Sequence, residues 1–352
     1  YSRSVEVNLE TISFYDAKPY DKLFFDKRKD EFGFEINYYE DKLNRRSALM
    51  AENSDAVVAF VNDTLDADTI NKLYELGIRV IGMRCSGYNN VDLKAAWERI
   101  HVLRVPAYSP YAIAEHAIGM AIMLNRKLHR AYNRTREYNF SLVGLTGFDF
   151  HGKTIGVIGT GKIGQAFIDL CLGFGMRVLA YDPYPVERSG VEYVELEKLC
   201  RESSVISLHC PLTKETKHII NRDSIAKMRE GVILINTSRG ALIDSEALLE
   251  GIKSHKIGAA GLDVYEEETE LFYEDFSDTI IQDDVLARLI SMPNVIVTSH
   301  QAFLTEEALD NIAQVTLSNL RGYFDGKPLP NEVCYRCGRE PGCRKDELKR
   351  CF

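Results

Sequence analysis

The sequence predicts an α/β protein built on doubly wound parallel sheets, and three observations carry that prediction. Short apolar or β-branched runs alternate with helix-like stretches along nearly the whole chain, the pattern of parallel strands covered by helices on both faces. The 352 residues suffice for about two domains at ~100–200 residues each. A glycine-rich turn, Gly159-Thr-Gly-Lys-Ile-Gly164, joins one apolar run to a helical one, as in nucleotide-binding βαβ units.

The elements follow in order. Thr11–Tyr15, Ala56–Ala59 and Arg79–Met83 read as strands, with helices at Ala67–Leu76 and Val91–Glu98. Tyr108-Ser-Pro110 offers an N-cap with Pro at the first helical position, so a long helix is expected from Tyr111 to His129. A second run opens with strand Thr154–Ile158, helix Lys162–Phe174 and strand Arg177–Tyr181. Strands Val205–His209, Val232–Asn236 and Gly258–Leu262 continue it, with helices Ser224–Glu230 and Ser245–Ser254 between them. Val295–Ser299 adds a late strand, and Thr305–Phe324 reads as a helix with apolar residues on one side.

Composition excludes several classes. Apolar residues are 45% and charged residues 27%, ordinary for a globular protein. Only 24 Gly and 10 Pro rule out collagen and low-complexity disorder. A net charge of −9 with pI near 5.5 argues against nucleic-acid or anionic-membrane partners. The most apolar stretch, Ile113–Leu124, is broken by Glu115 and His116, too short for the ~20 residues of a membrane span. The first residues show no basic segment leading into an apolar one, so no signal peptide is expected. Cys85, Cys171, Cys200 and Cys210 are scattered singly among apolar neighbours, as thiols of a reducing cytoplasm are.

The glycines at 159, 161 and 164 follow a strand and open a helix, and Asp182 closes the next strand. Gly159 permits the tight turn, Gly161 the close approach of backbone to a pyrophosphate, and Gly164 the packing of helix on strand. The helix start at Lys162 and Ile163 would offer unpaired N–H groups to that pyrophosphate. Asp182 would accept from ribose hydroxyls and repel a 2′-phosphate. With no adjacent Arg in Asp182-Pro-Tyr, NAD is expected over NADP.

Arg239, Glu268 and His300 each follow a predicted strand, where α/β folds place ligands. Hydride transfer to a 2-keto acid needs a planar cation for the carboxylate and carbonyl. It also needs a proton donor and a carboxylate that supports it. These three residue types supply those roles. Taken one at a time, they equally suit a surface ion pair, a core histidine and a solvated acidic turn at Glu266-Glu-Glu268.

Four motifs in this order are recognisable: Val157-Ile-Gly-Thr-Gly-Lys-Ile-Gly164, Asn236-Thr-Ser-Arg-Gly-Ala-Leu-Ile-Asp244, Gly261-Leu-Asp-Val-Tyr-Glu266 and Ser299-His-Gln-Ala-Phe-Leu-Thr305. The chain resembles the D-isomer-specific 2-hydroxyacid dehydrogenases, most of all their D-lactate branch, from about Thr11 to Glu332. The resemblance implies that Arg239, Glu268 and His300 are catalytic, with Asp263 near the nicotinamide amide. Cys210-Pro211 and Thr237-Ser238 would line the cofactor cleft. The loop Ser86–Asp92, with Gly87 and Tyr88, would hold the substrate carboxylate, and Tyr108 and Phe303 would surround the substrate.

It also implies a discontinuous, flavodoxin-like substrate domain (1–106 and 302–332) around a Rossmann coenzyme domain (107–301). A homodimer built on the helix near Tyr111 and the Arg134–His151 arm, or a higher homo-oligomer, is expected. Gln301-Ala-Phe303 and Thr269 depart from the glycines and Pro of the phosphoglycerate-specific branch. They favour pyruvate, with 2-ketobutyrate, 2-ketoisocaproate or phenylpyruvate as larger alternatives. An NAD-sensing corepressor is the rival of another class.

The tail, 333–352, lies outside that pattern. Cys334, Cys337, Cys343 and Cys351 could clamp zinc or an iron–sulfur cluster. They could equally be exposed thiols of a frayed terminus, or a redox pair.

Overall fold

The computed structural model describes residues 9–266, 272–336 and 350–352. In chain order come β1 (Glu10–Phe14), α1 (Pro19–Phe32), β2 (Phe34–Tyr38), β3 (Ala56–Ala59), α2 (Ala67–Glu75), β4 (Val80–Met83), α3 (Leu93–Ala96) and β5 (His101–Leu103). Next are α4 (Pro110–Arg126), α5 (Leu128–Arg136), β6 (Thr154–Ile158), α6 (Lys162–Gly173), β7 (Arg177–Tyr181), β8 (Val191–Tyr193), α7 (Leu196–Glu202) and β9 (Val205–Leu208). The chain continues through α8 (Arg222–Lys227), β10 (Val232–Asn236), α9 (Ser245–Lys253), β11 (Ile257–Leu262), α10 (Asp284–Ile290) and β12 (Val295–Val297), and ends with α11 (Glu306–Phe324) and β13 (Glu332–Val333).

Two compact units result, Tyr1–Ser109 with Thr305–Phe352, and Pro110–Leu304. The first holds a sheet in the order β13-β5-β4-β3-β1-β2. Its strands are parallel except β13, which runs antiparallel to β5. Helix α11 packs on β4 so closely that a Cβ at Gly82 would lie 3.3 Å from Thr316 Cγ2. The second unit holds the order β12-β11-β10-β9-β6-β7-β8, all parallel. Strand order reverses between β6 and β9, and that crevice at the carboxyl ends of the strands is where such sheets take ligands.

Strand residues of this second sheet alternate between two cores. Ile155, Val157, Ile233 and Ile235 face α4 and α6, while Ile206, Leu208, Val232 and Leu234 face the helices of the other side.

Three of the differences from the sequence expectation have a clear local cause. The helix expected over Val91–Glu98 shrinks to α3. The Asp92 carboxylate caps its start at the N–H groups of Lys94 and Ala95, both 3.0 Å, and Glu98 beyond it is left-handed at φ +58°. The helix expected to reach His129 stops at Arg126, because Lys127 turns left-handed at φ +52°. Helix α1 was not expected: its sequence, Pro19-Tyr-Asp-Lys-Leu-Phe-Phe-Asp-Lys-Arg-Lys-Asp-Glu-Phe32, carries charge on most faces and lacks a clear apolar period.

Candidate active site

The glycine turn shows a different reason for each glycine. Gly159 sits at φ +93°, and a Cβ there would stand 2.5 Å from the Cys210 nitrogen. At Gly164 a Cβ would stand 2.1 Å from the Gly159 carbonyl oxygen, so strand and helix could not meet. Gly161 has ordinary backbone angles, φ −65° and ψ −169°, and a Cβ there would meet no atom within 4 Å. The fold therefore does not require glycine at 161. The open space beside it adjoins the start of α6, whose first N–H groups belong to the exposed Lys162 and half-buried Ile163. Those groups have no partner within a helix and sit at its positive end. The turn thus fits the pyrophosphate of a dinucleotide.

Asp182 closes β7 as expected. Its Oδ2 accepts from the Thr160 backbone N–H at 2.7 Å and the Thr160 hydroxyl at 3.0 Å, and its Oδ1 accepts from the Tyr184 N–H at 2.9 Å. Burial alone would raise its pKa, but those donors outweigh it and hold the carboxyl below its ordinary value. Asp182 therefore stays anionic and keeps about one lone-pair site for a ribose hydroxyl. Arg188, the nearest downstream arginine, is tied to Gln165 and Asp169 on α6.

The loops after β9 and β10 are joined, since the Ser238 hydroxyl donates to the Cys210 carbonyl at 2.7 Å. Cys210 is buried, which pushes its thiol up to about 11, while Pro211 is exposed. The Thr237 hydroxyl is buried with no hydrogen-bond partner among the described residues. That is a second sign that this cleft is built for a polar group from elsewhere.

Arg239, half-buried, opens the turn after β10, and its Nη1 donates to the Ser238 carbonyl at 2.7 Å. The next residue, Gly240, abuts the loop after β11, where a Cβ would lie 2.0 Å from the Tyr265 carbonyl. Glu266 of that loop pairs with His218 Nε2 at 2.8 Å. Glu268 lies outside the described residues.

His300 follows β12 at φ +53°. Its N–H donates to the Asp263 carbonyl at 2.7 Å, and its own carbonyl accepts from the Tyr273 hydroxyl at 3.2 Å. The side chain of Asp263 is fully buried. Its carboxylate accepts from the Thr298 hydroxyl (2.6 Å), the Gln301 N–H (2.9 Å) and the Ala302 N–H (2.9 Å). Asp263 thus organises the His300 turn. Arg239, Tyr265-Glu266 and His300 leave the carboxyl ends of three neighbouring strands, β10, β11 and β12. Phe303 is buried in the same unit.

In the other unit, the loop with Gly87 and Tyr88 is braced from several sides. Arg104 donates to the Ser86 carbonyl at 3.0 Å and lies over the Tyr88 ring. The Asn90 amide donates to the Phe60 and Asp63 carbonyls at 2.9 and 2.8 Å. Asp63 in turn holds the Leu43 and Phe60 N–H groups, both at 2.6 Å. Burial raises its pKa to about 6 despite those two bonds. The carbonyl of Tyr108 accepts from the Asn311 amide at 2.6 Å. Sequence reasoning included Asn90 in the substrate loop without its bracing role, and missed Asp63, His116 and His218. The one local signal was Phe60-Val-Asn-Asp63, just past the buried β3, where an Asp three residues after Phe60 accepts from its N–H and closes a turn.

Cys334 and Cys351 are buried, at 5% and 2% exposure. That overturns the frayed-terminus reading for these two: Phe352 stacks on His101 at 4.3 Å and meets Trp97 edge-on, and the Cys351 N–H donates to Glu332. Cys337 and Cys343 lie outside the described residues. Among the described residues no three His, Cys, Asp or Glu side chains converge as metal ligands would. No helix among them is long and apolar enough to cross a membrane.

Comparison with known proteins places these features in context. Residues 118–302 match the family described as "D-isomer specific 2-hydroxyacid dehydrogenase, NAD binding domain". The chain is 52% identical to a D-lactate dehydrogenase of Escherichia coli, over 92% of this chain and 99% of that protein. The solved apo structure of E. coli D-lactate dehydrogenase superposes with a TM-score of 0.85 at 50% identity, covering 92% of this chain and 99% of the other. A pyruvate reductase structure from Chlamydomonas reinhardtii is similar at TM-score 0.89 and 42% identity, covering 92% and 98%.

Proposed function

Because the chain belongs to the NAD-dependent D-isomer specific 2-hydroxyacid dehydrogenases, we propose that it reduces pyruvate reversibly to D-lactate. The observation that carries this reading is the placement of Arg239 and His300 after two strands, β10 and β12, of one parallel sheet, with the His300 turn held by a fully buried Asp263. Reduced NAD supplies the hydride when bound. The Arg239 guanidinium holds the substrate carboxylate in a two-bond fork and polarises the 2-keto group. His300 delivers a proton to the carbonyl oxygen as it becomes a hydroxyl, and Glu268 favours the protonated imidazole. Gly87 and Tyr88 hold the carboxylate, Tyr108 and Phe303 border the methyl group, and Asp263 acts on the cofactor side through the His300 turn. Lys162, Ile163, Cys210, Pro211, Thr237 and Ser238 border the cofactor.

A profile of kcat/KM over pyruvate, 2-ketobutyrate, 2-ketoisocaproate and phenylpyruvate tests the substrate. Pyruvate leads it on this reading. Each extra methylene is worth only ~1–3 kcal/mol, so a higher value for 2-ketoisocaproate or phenylpyruvate overturns the reading for this chain.

We propose a homodimer in a reducing cytoplasm. Tyr132, Tyr138, Phe140, Leu142 and Val143 stand 60–86% exposed along one stretch, more apolar surface than a monomer usually leaves open. Cys171, Cys200 and Cys210 are buried thiols. A zinc or iron–sulfur site at the four tail cysteines is supported by their spacing alone. Metal analysis after anaerobic purification tests it: about one equivalent per chain supports it, and under about half ends it.

A further inference from the structure

His116 lies on α4 and had no role beyond interrupting an apolar stretch. Its Nε2 stands 3.2 Å from the Thr298 hydroxyl oxygen and 3.5 Å from Asp263 Oδ1. The Thr298 hydroxyl proton is already committed to Asp263 at 2.6 Å. A hydroxyl has one proton and two lone pairs. Thr298 can therefore only accept from His116, and the imidazole carries its proton on Nε2. The result is a directed chain, His116 Nε2–H to Thr298 Oγ1–H to Asp263, which crosses 182 residues of sequence.

At its end stands a turn that needs holding. A side-chain-bearing residue at φ +53° is in a conformation that costs about 1–2 kcal/mol relative to ordinary backbone, and persists only where the surroundings over-determine it. Asp263 supplies those surroundings. Its carbonyl takes the His300 N–H, and its carboxylate takes the N–H groups of Gln301 and Ala302. The rotation of that carboxylate is set by the Thr298 hydroxyl, and the direction of the hydroxyl by His116. Both side chains that meet the fully buried Asp263 carboxylate, Thr298 at 2.6 Å and His116 at 3.5 Å, belong to this cluster, so α4 reaches the His300 turn through it.

We propose that His116 is a positioning residue for the reaction: through Thr298 and Asp263 it fixes the orientation of the His300 imidazole. The proposal rests on the reading of His300 as the proton donor.

The experiment compares His116→Ala, His116→Gln, Thr298→Val and His300→Gln in the full-length protein. Steady-state pyruvate reduction, NADH titration by fluorescence and denaturation midpoints are read for each. A glutamine amide can place an N–H near the Nε2 position, so His116→Gln is the rescue. The expected result is a fall in kcat of about 10-fold for His116→Ala, below the ~100-fold that a 1 Å misplacement can produce. NADH affinity stays within about twofold, and His116→Gln recovers kcat to within about threefold of the native protein. Thr298→Val matches His116→Ala, and the double variant is no worse than either single, as members of one chain require. An unchanged kcat in folded His116→Ala overturns the proposal, as does a loss that His116→Gln leaves uncorrected. If His116→Ala does not fold, the same criteria apply to Thr298→Val and His116→Gln. His300→Gln separates the two levels: if it keeps native turnover, the proton-donor reading fails. If it abolishes turnover while His116→Ala is native-like, the relay alone fails.

Discussion

Replacing Gly161 with Ala separates cofactor binding from folding more cleanly than any other change in the glycine turn. At φ −65° and ψ −169° an alanine is unstrained, and its Cβ meets no atom within 4 Å. Two small stability terms oppose each other. Reduced freedom of the unfolded chain stabilises by about 0.4–1 kcal/mol, while losing Gly at an N-cap costs a few tenths to about 1 kcal/mol. The net change should lie within about 1 kcal/mol. The methyl group, however, occupies the space where the pyrophosphate must approach the N–H groups of Lys162 and Ile163. We expect NADH to bind about 10–100-fold more weakly, about 1.4–2.7 kcal/mol.

Gly164→Ala is the contrast. Its Cβ would lie 2.1 Å from the Gly159 carbonyl oxygen, so backbone must shift, and a loss of about 1–3 kcal/mol is expected. Urea unfolding without cofactor, followed by fluorescence titration with NADH, reads both quantities. If Gly161→Ala lost as much stability as Gly164→Ala, or bound NADH with native affinity, the assignment of the cradle would be refuted.

Three further outcomes follow from the structure. Asp182→Ala removes a carboxylate held ionised by Thr160 and Tyr184. It should narrow the NADH-over-NADPH ratio of kcat/KM by roughly tenfold, about 1.4 kcal/mol, and equal use of both cofactors by the native protein would refute this role. Asp63 is raised to about 6 from the ~3.9 of an unfolded chain, so between those values the folded protein holds a proton that the unfolded chain has released. Its contribution to stability is therefore full below about pH 4 and is lost as pH rises through 6, a change of about 3 kcal/mol. Urea unfolding of the native protein minus Asp63→Asn should show that decline from pH 4 to 7, and a flat difference would contradict it. Removing residues 334–352 exposes Trp97 and His101, which Phe352 covers. It should cost about 2 kcal/mol by thermal unfolding and leave kcat for pyruvate within about twofold, whereas an unchanged melting temperature would show that the tail does not anchor there.

The parts legible in the sequence were those whose cause is local. Strand Thr154–Ile158, the three glycines and Asp182 lie within one βαβ unit, so spacing alone located the turn. Spacing did not distinguish Gly159 and Gly164, which the fold requires, from Gly161, which it does not. That distinction depends on Cys210 and on the Gly159 carbonyl as placed by the sheet. Helix α1 was hidden because its apolar residues, Leu23-Phe-Phe25, form a run rather than a period. β13 was hidden because two residues pair antiparallel with a strand some 230 positions earlier, Glu332 opposite Leu103. His300 could be chosen by its place after a strand, but not its left-handed backbone, which is set by Asp263. Asp63 and His116 were illegible for a related reason. Asp63 also holds Leu43, 20 residues back, and His116 meets Thr298, 182 residues on, and a polar side chain announces nothing of such partners until the fold brings them together.

The central claim is reduction of pyruvate at C2 by NADH with a proton from His300. Chiral chromatography of the product, with NADH consumption recorded alongside, tests it most directly. The account predicts D-lactate formed one for one with NADH oxidised by the native protein, and loss of that turnover in His300→Gln with NADH still bound. L-lactate as product, no turnover of pyruvate, or native turnover in His300→Gln would contradict it.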